Sequence, residues 1–204
     1  MKAEDIPSEA LSPPPLTAGA RRIVDAASEL FYRYGIHAVG VDTIAAKSGV
    51  TKRTLYDRFG SKDQLIAVYL QLRHHRWWER MERRVEQQPE SAVLAFFDSY
   101  FEDAEASDRG CAFINAAAEL SANHPARRVV RAHKRAVLDR LAELLTTETG
   151  SREEAIAIAE EIYLLLEGAI THHGIDDDTR LVTRAREITA RLIHDHAPHR
   201  SAHA

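Results

Sequence analysis

The chain has 204 residues, a formal net charge of −4, and 45% hydrophobic and 28% charged residues. That balance supports a buried core in one or two domains and excludes a fibrous or wholly disordered chain. Its single cysteine, Cys111, excludes an intramolecular disulfide and fits a reducing compartment. The opening MKAEDIPSEALSPPPLT has no basic n-region and no apolar run, and no apolar stretch nears about 18 residues, so neither a signal peptide nor a membrane span is expected and the cytoplasm is the expected location.

Taken in chain order, every strongly patterned segment predicts a helix, and no alternating strand pattern of useful length occurs. Ile23, Ala26, Ala27, Leu30 and Phe31 recur at helical spacing, and Gly35 suits the left-handed position past a helix end. A short helix fits 41–47, stopped at Ser48-Gly49-Val50. Thr51 can cap the next, over about 52–58, with Gly60 ending it. Ser61 caps a long helix reaching the low 80s, with Gln64 three residues on as a capping box.

Pro89 suits the first turn of a helix whose face is Val93, Phe96, Phe97, Tyr100 and Phe101. Ser107 to Gly110 break it. A short helix from about 111 carries Ile114, Ala117 and Ala118. Pro125 opens the next, with Val129, Val130, Val137, Leu141, Leu144 and Leu145 inward and Gly150 ending it. Ser151 with Glu154 forms a second capping box. The run from Ile162 to Leu166 is nearly all apolar, so this helix is expected to be buried on several sides and closed by Gly174. Asp176 to Asp178 favour the start of a last helix lined by Val182, Ala185, Ile188, Leu192 and Ile193. The expected fold is all-α with about nine helices. The polar, Pro-rich residues 1–17 and the tail 197–204 are expected to stay unpacked.

Charge is divided along the chain. Residues 18–75 hold nine Lys/Arg against five Asp/Glu, whereas 76–204 hold 17 against 23 and residues 1–17 hold one against three. A basic module on an acidic body predicts a polyanion partner for the module alone. Within it, GVTKRTLYDRFGSKDQL gathers Lys52, Arg53, Arg58 and Lys62 around Tyr56 and Phe59. Two short helices about a turn at 48–50 have helix-turn-helix spacing. Ile44, Ala45, Val50, Leu55 and Phe59 can pack the pair, leaving Lys52, Arg53, Tyr56 and Arg58 on or beside the face that enters a major groove. Thr43 and Thr51 can reach phosphates through hydroxyl or backbone N–H groups. Lys62 opposes the dipole of the helix it begins, which a bound phosphate would explain.

The stretch VDTIAAKSGVTKRTLYDRFGSKDQLI, 41–66, resembles the DNA-binding core of the tetracycline repressor (TetR) family of bacterial regulators. The matching positions are Thr43, Ile44, Ala45, Gly49, Val50, Thr51, Leu55, Tyr56, Phe59, Ser61, Lys62 and Leu65, with Ile23, Asp25, Ala26, Ala27, Leu30, Phe31, Tyr34 and Gly35 upstream. The resemblance implies phosphate contacts from Thr51, Tyr56 and Lys62 and base reading by Lys52, Arg53 and Thr54. Lys52-Arg53 and Asp57-Arg58 depart from the residues common there, so base preference does not carry over. The resemblance further implies a DNA-binding domain at 18–62, an effector-binding and dimerisation domain at 63–196, and a homodimer formed through the last two helices on a palindromic double-stranded DNA operator. A ligand-released repressor is the expected function.

An effector pocket is expected to draw on Trp77, Phe97, Tyr100, Phe101, Phe113, Ile114, Asn115, Ala118, His133, Tyr163 and Glu167, whose aromatic content suits a small apolar molecule. Eleven histidines show His-x-x-x-His spacing only at His199 and His203, in the tail expected to stay unpacked, so no metal and no cofactor is expected. Two other readings stand beside the repressor. One is a DNA-binding regulator controlled by a protein partner or by oxidation of Cys111. The other is an all-helical enzyme, which no nucleophile–base set or phosphate-binding loop supports, so no catalytic residue is assigned.

Overall fold

The computed structural model of the protein describes residues 8–105, 109–176 and 179–196. Residues 1–7 and 197–204, Ser107, Asp108, Asp177 and Asp178, on which some of the expectations above fall, lie outside the described residues. Among the described residues the protein is all-α, with no strand. Its helices are α1 (Ala18–Tyr34), α2 (Val41–Ser48), α3 (Lys52–Phe59), α4 (Lys62–Gln87), α5 (Ala92–Glu105), α6 (Ala112–Glu119), α7 (Ala126–Thr149), α8 (Arg152–Asp176) and α9 (Arg180–His196). The chain packs as two compact units. The first holds the described residues up to Trp78 together with Ala112–Lys134, and the second holds Glu79–Cys111 with the described residues from Arg135 onward. In this division α6 and the start of α7 group with the helix-turn-helix segment.

In the first unit, Thr17 caps α1 by accepting from the Ala20 N–H at 3.3 Å. Ile23, Ala27, Leu30 and Phe31 recur along one buried side of α1, which packs on α2 and α3. Leu65, Ile66, Tyr69 and Leu70 bury the first part of α4, and Tyr69 meets Phe31 with ring centroids 5.7 Å apart. Over residues 8–17 the chain differs from the unpacked arm expected. Ser8–Leu11 forms a 3-10 turn, and Gln71 donates to the Ala10 carbonyl at 3.0 Å. A backbone carbonyl with a fixed partner outweighs the polar composition that argued for a loose end.

In the second unit, Val93, Phe96, Phe97, Tyr100 and Phe101 are all buried, and α5 packs on α8 and α9. Pro89 opens a 3-10 turn, Pro89–Ser91, ahead of α5 rather than its first α-turn. Arg140 grips Glu82 with two hydrogen bonds of 2.8 Å, and Arg186 grips Asp98 at 2.6 and 3.0 Å.

Two expectations for α8 are corrected. Gly174 does not close the helix, which continues to Asp176. A Cβ on Gly174 would stand 2.9 Å from the Gly110 Cα and N, so the glycine serves a close backbone approach. The apolar run is also not buried all round. Ile162 and Leu166 are fully buried, but Leu164 is 71% and Ile175 70% exposed. One side of α8 is buried against the described residues, and the other side exposes Leu164 and Ile175.

Candidate nucleic-acid interface

The α2–α3 pair is built by a few local devices. Gly49 ends α2 in the left-handed conformation, φ 67° and ψ 32°, and its N–H reaches the carbonyls of Ala45 and Ala46. A side chain would strain this φ, so glycine allows the turn its tightness. The Ser48 hydroxyl donates to the Ile44 carbonyl at 2.7 Å, which turns a buried polar group inward without loss. Thr51 caps α3 by accepting from the Thr54 N–H at 3.1 Å, and the two hydroxyls lie 2.9 Å apart. Ile44, Ala45, Leu55 and Phe59 are buried and Val50 is half-buried. Leu55 and Phe59, four residues apart, fix one side of α3 against the unit, each contributing about 1.5–3 kcal/mol by burial.

The opposite side of α3 is exposed. Thr43, Thr51, Lys52, Arg53, Tyr56 and Arg58 all reach solvent, and Thr54 is half-buried beside its cap. Two of the cations carry intramolecular partners. Lys52 lies 3.1 Å from Asp42, and Arg53 lies 3.9 Å from Asp57 with 91% of its side chain exposed. Such exposed pairs are weak and exchange easily for a phosphate. Lys62 stands apart from the others. It is half-buried, its Nζ donates to the Ile36 carbonyl at 2.7 Å and lies 5.8 Å from the Phe31 ring centroid, and burial lowers its pKa. An ammonium has three donors, so this bond leaves two for an external anion.

The residues expected to form an effector pocket fall in both units. Trp77, Phe113 and His133 are buried in the first, Ile114 and Asn115 are half-buried there, and Ala118 is exposed. Phe113 stacks on His133 with centroids 3.6 Å apart and planes 11° apart, and Trp77 meets the same imidazole edge-on at 5.5 Å. The second unit holds Phe97, Tyr100 and Phe101, buried, and Tyr163 and Glu167, half-buried. The Tyr100 hydroxyl donates to the Glu167 carboxylate. Burial first, and then Cys111 and Glu167, push the Tyr100 pKa well up, so the phenol stays a donor.

Sequence reasoning missed several residues that shape the interface. His74 is buried against His133. Asp42 and Asp57 neutralise part of the recognition face. Glu119 holds the loop before α2: its carboxylate accepts from the His37 N–H at 2.7 Å, and its carbonyl accepts from His37 Nε2 at 2.6 Å. No local signal marks Glu119, since its partner is 82 residues away.

A short second helix held by Leu55 and Phe59 from within, with cations and a tyrosine on its open side, defines a helix-turn-helix protein. The chain belongs to the TetR family of bacterial regulatory proteins: residues 23–69 match the family described as "Bacterial regulatory proteins, tetR family", and residues 89–189 match "Tetracyclin repressor-like, C-terminal domain". The HTH-type transcriptional activator FasR of Mycolicibacterium smegmatis is 38% identical over 91 residues, covering 41% of this chain and 41% of that protein. The HTH-type transcriptional regulator SrpR of Pseudomonas putida is 38% identical over 55 residues, covering 27% of this chain and 26% of its own length. The chain thus matches less than half the length of these curated relatives. A solved TetR-family transcriptional regulator from Streptomyces coelicolor is 28% identical, with a TM-score of 0.76 over 88% of this chain and 96% of that one.

Proposed function

We propose that this protein is a DNA-binding transcriptional regulator that recognises a palindromic operator as a homodimer and is released from it by a small apolar effector. The observation that carries the reading is the open side of α3, where Lys52, Arg53, Tyr56 and Arg58 stand exposed on a helix held from behind by Leu55 and Phe59. Lys52, Arg53 and Thr54 read base edges. Thr43, Thr51, Tyr56, Arg58 and Lys62 position the protein on phosphates. The dimer forms through α8 and α9. Ile156, Leu164 and Ile175 on α8 are exposed in the single chain, and Val182, Ile188, Leu192 and Ile193 on α9 are only half-buried. A second copy would cover both faces and set two recognition helices about 34 Å apart.

The effector binds among the aromatic residues of the first unit, Trp77 and Phe113 around His133, with Asn115 and His133 as its polar contacts. It must favour the DNA-incompetent form, because equal affinity for both forms shifts nothing. The experiment is selection of duplexes from a random pool by the full-length protein, followed by affinity measurements across salt and a thermal-shift screen of apolar molecules for those that release the duplex. A twofold-symmetric selected site supports the reading, and no enrichment refutes it. Deleting the gene should raise expression from a reporter carrying the site, as for a repressor. A fall would assign activation.

A further inference from the structure

We propose that Glu119, the last residue of α6, is the positioning residue that holds the helix-turn-helix in its DNA-competent pose. The proposal rests on the DNA-binding reading above and adds the route by which the body of the protein controls it. Residues 35–40 join α1 to α2 and set where α2 begins. The turn at 49–51 and the buried contacts of Ile44 and Leu55 carry that placement into α3.

The loop is held from outside the three-helix segment. Glu119 takes His37 twice, through its carboxylate at 2.7 Å and its carbonyl at 2.6 Å. Lys62 takes the Ile36 carbonyl at 2.7 Å. Gly35 makes room for the clasp, since a Cβ there would stand 3.1 Å from Glu119 Oε1 and 3.2 Å from Oε2.

Helix stability does not explain Glu119. A carboxylate in the last turn of a helix faces the negative end of the dipole. The His37 N–H explains it. The helix that carries Glu119 has eight residues, too few to persist without its packing. An open groove of about 440 Å³, lined in part by Ile36, His37, Lys62, Glu119 and His124, flanks the joint and leaves space for Glu119 to withdraw. At the other end of α6, Phe113 stacks on His133. A molecule that parts this stack would move α6, draw Glu119 from His37 and release the loop that aims α2.

The test uses the full-length protein, a duplex that the wild type selects from a random pool, and a random duplex. Glu119→Ala should weaken binding to the selected duplex about tenfold. The random duplex and the salt slope should change little, because no phosphate contact is lost, and the thermal melt should change little, because the lost bond is exposed and water replaces it. His37→Ala removes the second bond of the clasp, from Nε2 to the Glu119 carbonyl, and should have a similar effect; the double variant loses both bonds and should bind more weakly than either single. Glu119→Gln keeps the acceptor and should restore most of the affinity. Wild-type affinity in Glu119→Ala, or an equal loss on the random duplex, would overturn the proposal. Should Glu119→Ala fail to fold, His37→Ala carries the test, and unchanged affinity there overturns it. A wild type that enriches no duplex overturns the DNA reading itself, and this proposal with it.

Discussion

The Nδ1 atoms of His74 and His133 lie 3.0 Å apart with both side chains buried. Two imidazole nitrogens at that distance share one hydrogen: one ring donates from Nδ1, the other accepts, and both are neutral. Phe113 covers the face of His133, and Trp78 meets His74 with centroids 5.2 Å apart. Burial, and then the neighbouring His75, lower the His74 pKa to about 4. Burial, and then Lys134, His74 and Arg73, hold His133 well below 6.5.

This pair makes stability depend on pH. Both folded pKa values lie below the unfolded value, so the unfolded chain binds more protons and stability rises with pH. Stability is full above about pH 6.5 and is lost as pH falls toward about 4, with a slope of up to about 1.4 kcal/mol per pH unit for each histidine. Urea denaturation at a series of pH values should show the loss. The double variant His74→Leu, His133→Phe should flatten the curve over that window.

The acidic partners on the recognition face should restrain DNA binding. Asp42 pairs with Lys52 and Asp57 approaches Arg53. Asp42→Asn and Asp57→Asn should each raise affinity for a random duplex by about twofold to fivefold at low salt, with the gain fading as salt rises. Fluorescence anisotropy across salt measures it.

Arg58 and Lys62 should separate in a paired measurement. Arg58→Ala removes an exposed cation and should shallow the salt dependence by about one phosphate contact with no change in melting temperature. Lys62→Met should shallow it similarly and also lower the melting temperature, because the Ile36 carbonyl loses its donor at a cost of about 1–3 kcal/mol. Lys52→Ala and Arg53→Ala should instead relax preference at particular base pairs, by about 1–3 kcal/mol each.

Leu164 offers a test of the dimer that leaves the fold alone. It is 71% exposed within the chain, so Leu164→Glu should not lower the stability of the single chain. It should convert dimer to monomer in light scattering at micromolar concentration and remove cooperative binding to a palindrome.

Gly174→Ala sets two effects against each other. Alanine raises helix propensity by about 1 kcal/mol, but its Cβ would meet Gly110 backbone atoms at 2.9 Å. Backbone cannot rotate away as a side chain does, so overpacking of about 1–3 kcal/mol should win and the melting temperature should fall. Gly168→Ala, on the same helix with open space about it, should raise it.

The helix-turn-helix was legible in the sequence because each of its devices is local. Thr51 caps a helix whose first N–H groups are its near neighbours, Gly49 satisfies a single φ, and Leu55 and Phe59 reveal an inward side by spacing alone. The nine α-helices of the described residues could be read in the same way, from periodicity and caps a few residues apart. Tertiary packing decided the rest. Ile162 to Leu166 reads as one apolar run, yet only packing determines that Leu166 turns inward and Leu164 outward. Gly174 has the composition of a helix end, but the backbone of Gly110 opposite makes it a contact. Glu119 and His37 are 82 residues apart, and His74 and His133 are 59. Periodicity fixes which side of a helix is apolar. It does not fix which other helix meets that side, or at what height, and those two choices brought His74 to His133 and Glu119 to the loop before α2.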